Sequence, residues 1–430
     1  MSVSMPRVPV IDSRIRVDRR LLAATTSCAP PKADPQSPPK PLPLAITGVL
    51  AVALTSWVWA AHGPRLGIVA ILGLLLGVAL FHARFGFTAS WRQFVAVGNG
   101  AGLRAQALLL ATAATVIALV AGTGLGAFGT TPQTSAYPLG IPLVAGAILF
   151  GVGMQLAGSC ASGTLFAVGA GQSTILLTLV SFIAGTTLYT WAYPVLGSLP
   201  QVNGILLADH IGWVGSWAVT MALLGGIVLF TLWVQRRRNP PPVKPEPSAH
   251  GVARLYRGTW PMLAGAVVLG VLAGLVFLFG AGIWRVLNGF TLWGARVLEL
   301  FGVHPQTWAY WQVGANAQQL AAPVLTDPTS LTDLGIMIGA ALACAAAGAW
   351  YLRSRVPAGT AAAAVLGGLA MGLGGKMSGG CNIGAFIGGI SQGSVSGWIW
   401  AACALGGTWF GMRLRPYFGL VNPKSSDGIC

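Results

Sequence analysis

The chain has 430 residues, of which 54% are hydrophobic and 8% are charged, with a mean hydropathy of +0.72 and a formal net charge of +16. Because soluble domains carry about 25% charged residues, this composition excludes a soluble globular domain. Several apolar runs reach the roughly 20 residues needed to cross a hydrocarbon core, and they lack the polar alternation of a membrane β-barrel. The sequence therefore predicts an all-α, polytopic membrane protein with about nine to ten transmembrane helices.

The excess of positive charge does not indicate a nucleic-acid partner. Lys and Arg accumulate in the cytoplasmic loops of membrane proteins and fix their orientation, so the lipid bilayer is the partner that the composition implies. The six cysteines show no metal-ligand spacing such as Cys-x-x-Cys, and neither a metal nor another cofactor is expected. Cys344 and Cys403 are interpreted as small buried hydrophobic residues.

Composition divides the chain into five parts. Residues 1–42 form a basic tail that lacks the apolar run of a secretory signal and is expected to be disordered. The remaining parts are a first membrane half at 43–235, a basic, proline-rich cytoplasmic linker at 236–258, a second membrane half at 259–415 and a C-terminal tail at 416–430.

Apolar runs predict spans at about residues 44–61, 66–81, 105–125, 141–157, 174–196, 213–234, 262–279, 334–351, 360–373 and 395–412. Two mixed segments, Arg84–Arg104 and Trp284–Phe301, are too polar for a clean span and too apolar for a plain loop, so short re-entrant helices are predicted there. Glu299, three residues after Arg296, is the one carboxylate assigned to a membrane-associated segment. A chain of membrane carboxylates, typical of proton-driven pumps, is therefore not expected.

Two short motifs of small residues, Gly153–Gly163 and Gly374–Gly384, each carry one cysteine. When Cys160 is aligned with Cys381, four pairs of glycines also coincide: 151 with 372, 153 with 374, 158 with 379 and 163 with 384. Each motif lies between a long apolar run and a shorter one, which predicts a break inside the membrane followed by a short helix.

A second repeated motif, Gly86-Phe-Thr88 and Gly289-Phe-Thr291, precedes the cysteine motif in each half. The shared order of the two motifs indicates an internal duplication. The basic cluster Arg236–Arg238 places the linker inside the cell, and counting spans from it places both termini inside. The second half then enters the membrane from the opposite side, so the two repeats are inverted, as in many transporters.

The cysteine motifs are the candidate binding site. Irregular backbone survives at membrane depth only where it is buried in protein or lines a wet cavity. The free N–H groups at the start of each short helix would favour an anion, and a thiol adds a soft S–H donor. The glycines are expected to let the chain turn there. The candidate residues are Cys160, Cys381, Gly158, Ser159, Gly163, Gly379, Gly380, Asn382, Gly384, Gln155 and Lys376.

These motifs resemble those of the YeeE/YedE family of inner-membrane sulfur-transport proteins. The resemblance rests on Leu156–Gly163, Met377–Gly384, Arg84–Thr88 and Gly289–Ala295, and it covers the chain from about residue 65 onward. It implies a pseudo-symmetric, hourglass-like fold, a multi-pass inner (plasma) membrane location and uptake of thiosulfate or a related small anion. In this picture, Cys160 and Cys381 pass the ion along by S–H hydrogen bonds.

The resemblance has one departure and leaves several alternatives open. Thiosulfate-type members often carry Cys where this chain has Gly86, so another sulfur species or a selenium species is an alternative substrate. A cytoplasmic sulfur-carrier protein is a partner by family analogy. From the residues themselves, a membrane sulfurtransferase with a persulfide on Cys160 or Cys381, or an anchor for a partner enzyme, are the competing interpretations. No catalytic constellation is found beyond the two cysteine motifs, so an enzyme is not expected.

Overall fold

The structure, a computed structural model, describes residues 37–240, 249, 251–350 and 356–423. Most of the N-terminal tail, the linker at 241–248, the basic pair Arg353 and Arg355, and residues 424–430 lie outside this description, as do Cys28 and Cys430. Within the described residues the protein is built from helices and one short β-ladder. The predicted all-α class is therefore confirmed.

The first part of the chain forms eight helices: α1 Pro41–His62, α2 Pro64–Ala83, α3 Phe87–Val97, α4 Ala101–Gly122, α5 Ile141–Ala157, α6 Ala161–Gly169, α7 Ser173–Leu196 and α8 Leu207–Arg238. Two short strands, β1 Leu139–Gly140 and β2 Gln201–Val202, pair antiparallel before α5 and after α7. Helix α8 continues through the basic residues Arg236–Arg238, which the sequence assigned to the linker.

The second part forms α9 Ala253–Arg257, α10 Met262–Gly280, α11 Leu287–Leu300, α12 Gly314–Ala321, α13 Pro328–Ala346, α14 Ala358–Met377, a π-helix at Asn382–Gly388, α15 Gly389–Ser391 and α16 Val395–Leu414. Four 3₁₀ turns lie at Pro305–Thr307, Ala309–Gln312, Val324–Thr326 and Arg415–Phe418.

Nine helices among the described residues are long and apolar enough to cross a membrane: those of α1, α2, α4, α5, α7, α8, α10, α13 and α14. The multi-pass membrane architecture is therefore confirmed. α1 and α8 are the least covered by the rest of the protein, with 17% and 22% of their apolar windows buried. Because their exposed side chains are apolar, these two helices form the lipid-facing periphery.

The contacts between helices show an internal two-fold relation: when each helix of a contacting pair is replaced by its counterpart in the repeat, the new pair is also in contact. α2 packs on α13 as α10 packs on α4, and α7 packs on α14 as α16 packs on α5. The pair α4–α8 likewise corresponds to α13–α1, and α7–α11 corresponds to α16–α3. The helices of the second half therefore repeat the packing of those in the first, except that α1, from the start of the chain, takes the place that corresponds to α8.

At the centre of this arrangement, α5 and α14 pack with their backbones in contact. A Cβ at Gly146 would lie 2.6 Å from the carbonyl oxygen of Gly374, and one at Gly153 would lie 2.7 Å from that of Gly367. Glycine allows this approach because it has no Cβ. The seam, which is the set of these four glycines, holds together the two helices that lead into the cysteine motifs.

One expectation about membrane charges is wrong. Asp333 lies within α13, which begins at Pro328, whereas the sequence placed the start of this span at residue 334. The side chain is fully buried. Glu299, the carboxylate that the sequence singled out, forms an ion pair with Arg296 at 2.8 Å. The described spans thus contain a buried carboxyl group that sequence reasoning missed.

Candidate functional site

The first cysteine motif is a sharp break between α5 and α6. Gly158 ends α5 in the left-handed region with φ 74°, and Cys160 is extended with φ −97° and ψ −175°. The Cys160 thiol caps α6 by accepting a hydrogen bond from the N–H of Gly163 at 3.4 Å, and it lies 3.6 Å from the Ser162 hydroxyl. The thiol thus lies at a helix N-terminus.

The second motif adopts almost the same backbone. Gly379 has φ 79°, and Cys381 has φ −103° and ψ −167°. The N–H groups of Ile383 and Gly384 face its thiol. The helix after Cys381 differs from the expected one because it opens as a π-helix, in which the N–H of Phe386 bonds the Cys381 carbonyl oxygen at 3.3 Å. Such turns occur frequently at functional sites.

The glycines of the motifs have different roles, although all five were expected to let the chain turn. Gly158 and Gly379 occupy the left-handed region, which favours glycine. At Gly380 a Cβ would lie 2.6 Å from the backbone nitrogen of Ala385. Gly163 is helical, and its Cβ would lie 2.6 Å from the Ser159 hydroxyl. Gly384, also helical, leaves ordinary room for a Cβ, so its role is not steric.

The structure brings the two motifs together in the interior. Cys160 is 1% exposed and Cys381 is 0% exposed, and the two lie within electrostatic range of each other. The short helices that follow them are also in contact. The two free thiols therefore form one buried site between the halves.

A cavity of about 340 Å³ adjoins the second motif. We call it the vestibule. Its floor is formed by the backbone of Gly379, Gly380 and Gly384, while Cys381 itself lies just beneath, fully buried. Its walls carry side chains with hydrogen-bonding groups, including Tyr189, Asn316 and Gln392. The vestibule thus reaches the second motif without exposing its thiol.

Two cations line the vestibule, and no Asp or Glu does among the described residues. Lys376 bonds the Tyr310 hydroxyl at 2.7 Å and the Asn288 side-chain oxygen at 3.2 Å. Arg285 bonds the Ser135 hydroxyl at 3.2 Å. Lys376 therefore lies in the lining of the vestibule, where its ammonium is held by two neutral partners.

The mate of Lys376 in the first half, Gln155, has a different setting. It is fully buried, and its amide nitrogen donates to the Thr88 carbonyl oxygen at 3.3 Å. The backbone oxygen of Gln155 accepts a bond from Arg415 at 2.6 Å. The side-chain oxygen of Gln155 has no hydrogen-bond partner among the described residues. This end of the site is closed by direct contacts.

Two further candidates remain close to the thiols. The Ser159 hydroxyl donates to the Cys160 carbonyl oxygen at 3.2 Å. Asn382, directly after Cys381, is fully buried, and neither its amide nitrogen nor its amide oxygen has a partner among the described residues. Since buried polar groups are normally satisfied, the Asn382 amide is available to a small polar ligand at the second motif.

Tyr137 covers the floor of the vestibule. Its ring packs directly on Gly379, and its hydroxyl donates to the Met377 carbonyl oxygen at 2.8 Å. Burial raises the pKa of Tyr137 to about 12, so the phenol is a neutral donor at physiological pH. Bonds between Ser135 and Gln392 at 2.7 and 3.1 Å hold this loop in place. Tyr137 thus lies over Gly379, two residues before Cys381.

Sequence reasoning missed Tyr137, Arg285 and Tyr310 because they lie in loops and turns far along the chain from the cysteine motifs. No periodicity marks them, and only the folded chain brings them together. Asp333 could have been found from the sequence, because this carboxylate lies directly before residue 334, where the span was predicted to begin.

Comparison with known proteins gives a family match and several named relatives. A family model described as sulphur transport matches residues 82–410. The chain is 33% identical over 165 residues to "Probable transporter YedE" of Escherichia coli strain K12, which covers 37% of this chain and 39% of that protein. The matched region is thus well under half of that relative's length.

Longer matches are more distant. "Thiosulfate transporter TsuA" of Spirochaeta thermophila is 24% identical over 361 residues, covering 79% of this chain and 96% of that protein. The Escherichia coli protein of the same description is 25% identical over 346 residues, covering 79% and 91%. Because the family model spans both cysteine motifs and both Gly-Phe-Thr motifs, the chain belongs to the sulphur-transport (YeeE/YedE) family.

Proposed function

We propose that this protein carries thiosulfate, or a closely related small sulfur-containing anion, across the cell inner membrane past Cys381 and Cys160. The observation that supports this most directly is the vestibule: it holds two cations, no described carboxylate in its lining, and a floor made by the backbone of the second cysteine motif. The names of the two TsuA relatives point to the same substrate class.

Capture begins at the vestibule. Lys376 and Arg285 attract the anion, and the Tyr310 and Asn288 groups that hold Lys376 keep the ammonium in place without neutralising it. Charge of one sign in a cleft raises the local concentration of a counter-ion. This step requires no change in the backbone.

Passage to the interior follows displacement of the Tyr137 ring from Gly379. The anion then meets the Cys381 thiol and the N–H groups of Ile383 and Gly384, which lie at a helix N-terminus. The free Asn382 amide supplies further hydrogen bonds. A thiol suits a sulfur anion because its S–H is a weak, polarisable donor, so the ion is held and released without a covalent bond.

The ion leaves by way of the first motif. Cys160 lies within electrostatic range of Cys381 and has almost the same backbone conformation, so it offers the next donor. Movement of the contacts at Gln155 opens the far end. A selenium analogue of similar size fits the same donors, and a cytoplasmic sulfur-carrier protein is the kind of partner that would receive the cargo.

The sulfurtransferase alternative fits the geometry less well. A persulfide-forming cysteine needs a thiolate stabilised by a nearby cation. Lys376 is the nearest candidate in sequence, but its ammonium bonds Asn288 and Tyr310. The other alternative, a membrane anchor for a partner enzyme, does not account for a cavity lined by two cations.

Uptake of labelled thiosulfate by cells that carry Ser or Ala at Cys160 or Cys381 tests the proposal. Serine keeps a donor of similar shape, so we expect partial uptake, whereas alanine leaves the ion without a partner. Loss of a hydrogen bond to a charged group costs about 1.5–3 kcal/mol, which is a tenfold or larger loss of uptake. Cys403→Ala, half-buried and outside both motifs, is the control and should transport normally.

Equal and complete loss in the Ser and Ala variants, together with a sulfur adduct on the wild-type protein by mass spectrometry, would favour covalent chemistry. Near-normal uptake in both Ala variants would show that the anion does not pass the cysteines. Membrane levels of each variant are measured in parallel by immunoblot.

A further inference from the structure

Asp333 is a buried carboxyl group that the anion path described above does not use. Its side chain is 0% exposed, and neither carboxyl oxygen has a hydrogen-bond partner among the described residues. The nearby carboxylates are different. Asp327 accepts two bonds from Ser330, at 2.8 and 2.9 Å, and Glu299 forms an ion pair. Asp333 alone among these three is unsatisfied.

The surroundings of Asp333 connect it to both repeated motifs. A Cβ at Gly289, the glycine of the second Gly-Phe-Thr motif, would lie 2.6 Å from Oδ2 of Asp333. Gly289 therefore makes room for the carboxyl group. The carboxyl group also lies within electrostatic range of Cys381, where the transported anion is expected to stop.

Few charged groups face this carboxyl group. α2 and α11 pack against this part of α13 through Gly73 and Gly289, which carry no side chains. The titratable groups that interact with Asp333 are Asp327, on the turn before α13, and Cys381. Neither supplies a positive charge, so nothing among the described residues compensates an ionised Asp333.

An ionised carboxylate is strongly disfavoured in such a site, and its charge would repel an anion at Cys381, whereas the neutral acid does neither. We propose that Asp333 is a proton-binding site, and that the proton it binds travels inward with the anion. This inference rests on the transport function proposed above.

The cycle is balanced by one proton. Asp333 takes a proton from the vestibule side, forming an O–H bond, the anion passes Cys381, and the proton is released to the far side as the carboxylate returns. A metal ion in place of the proton fits less well. It would need several further ligands, and the described residues contain no group of three or more His, Cys, Asp or Glu side chains that could hold one.

Proteoliposomes with the purified full-length protein test this proposal. Valinomycin with equal potassium on both sides holds the membrane potential at zero, so a pH gradient acts alone. With the outside one pH unit more acidic, the wild type should accumulate labelled thiosulfate up to about tenfold above equilibrium, since each tenfold step corresponds to about 1.4 kcal/mol. Asp333→Asn mimics the neutral acid, so it should equilibrate the anion without accumulating it.

Glu299→Gln is the matched control. It removes a carboxylate that is already paired, and it should accumulate the anion as the wild type does. A second readout needs no variant: addition of thiosulfate to wild-type vesicles should make the outer medium alkaline, measured with a pH-sensitive dye.

Wild-type uptake that only equilibrates under the pH gradient, without alkalinisation, would overturn the proton site and leave the transport function standing. Accumulation by Asp333→Asn equal to that of the wild type, or accumulation driven by sodium at equal pH, would also overturn it. Absence of thiosulfate uptake by the wild type under every gradient would overturn both proposals.

Discussion

The two halves of the molecule give their cysteines the same backbone but different neighbours. Cys160 and Cys381 are both extended, each lies two residues after a left-handed glycine, and each stands at the N-terminus of a short helix, although only the Cys160 thiol accepts a capping hydrogen bond. The second motif, however, lies under a vestibule with two cations. The first is covered by the Gln155 contacts with Thr88 and Arg415.

This comparison distinguishes two properties of the site: the backbone geometry, which the two halves share, and the charge, which they do not. On the proposed path, the repeated backbone provides matching binding sites for the anion, which is what a duplication produces. The unmatched side chains, Lys376 in one half and Gln155 in the other, make these sites unequal in charge. In the proposed function, this asymmetry places capture at the vestibule and release at the opposite end. Three sets of variants test how much of this depends on backbone and how much on charge.

The largest effect is expected from the left-handed glycines. Gly158→Leu and Gly379→Leu place a branched side chain where the backbone has positive φ, and at Gly379 also against the Tyr137 ring. We expect complete loss of thiosulfate uptake for both, because the thiols lose their position. Uptake is compared at equal membrane levels of protein.

Gly226→Leu is the control, since a Cβ there meets nothing within 4 Å; it should transport normally. Full activity of either motif variant would mean that the shared backbone is not what positions the substrate.

A smaller effect is expected when the positive charge at the vestibule is removed, and it should affect binding from that side of the protein. Lys376→Met removes the ammonium, and loss of one charge-assisted contact, about 1.5–3 kcal/mol, should raise KM for thiosulfate about tenfold or more. Gln155→Met, its counterpart, should change the maximal rate rather than KM. Initial uptake rates at varied thiosulfate concentration separate the two parameters. Equal KM shifts in both variants would remove the assignment of capture to the vestibule.

The smallest effect is expected at Tyr137. Tyr137→Phe deletes the bond to the Met377 carbonyl oxygen, a net contribution of about 0.5–1.5 kcal/mol, so the ring should leave Gly379 more often. We expect Cys381 to react about two- to tenfold faster with a thiol reagent added from the vestibule side, measured by mass spectrometry of the Cys381 peptide. Tyr193→Phe, also in the vestibule wall, is the control. Unchanged labelling would mean that another group closes the path.

Sequence alone predicts most of this fold, because apolar runs and repeated motifs are local signals. The pairing of Cys160 with Cys381 and of Gln155 with Lys376 needed only alignment of the chain with itself. The opening π-helix after Cys381 was not predictable in this way, since it depends on packing against other helices. Burial of Asp333 depends on Gly289, 44 residues away in the numbering of the chain, and no local pattern encodes such a contact.

The glycine seam between α5 and α14 affects how fast the proposed path can open and close. Helices whose backbones touch at Gly146–Gly374 and Gly153–Gly367 have no layer of side chains between them that could repack during a sliding motion. The two helices that carry the cysteine motifs therefore move as one body. Opening then falls to side chains and loops, such as the Tyr137 loop, whose rotations take nanoseconds to microseconds, whereas rocking of whole domains takes microseconds to milliseconds. Such a protein would alternate access to its two sides through small motions of side chains and loops, and it would turn over faster than a carrier that rocks whole domains.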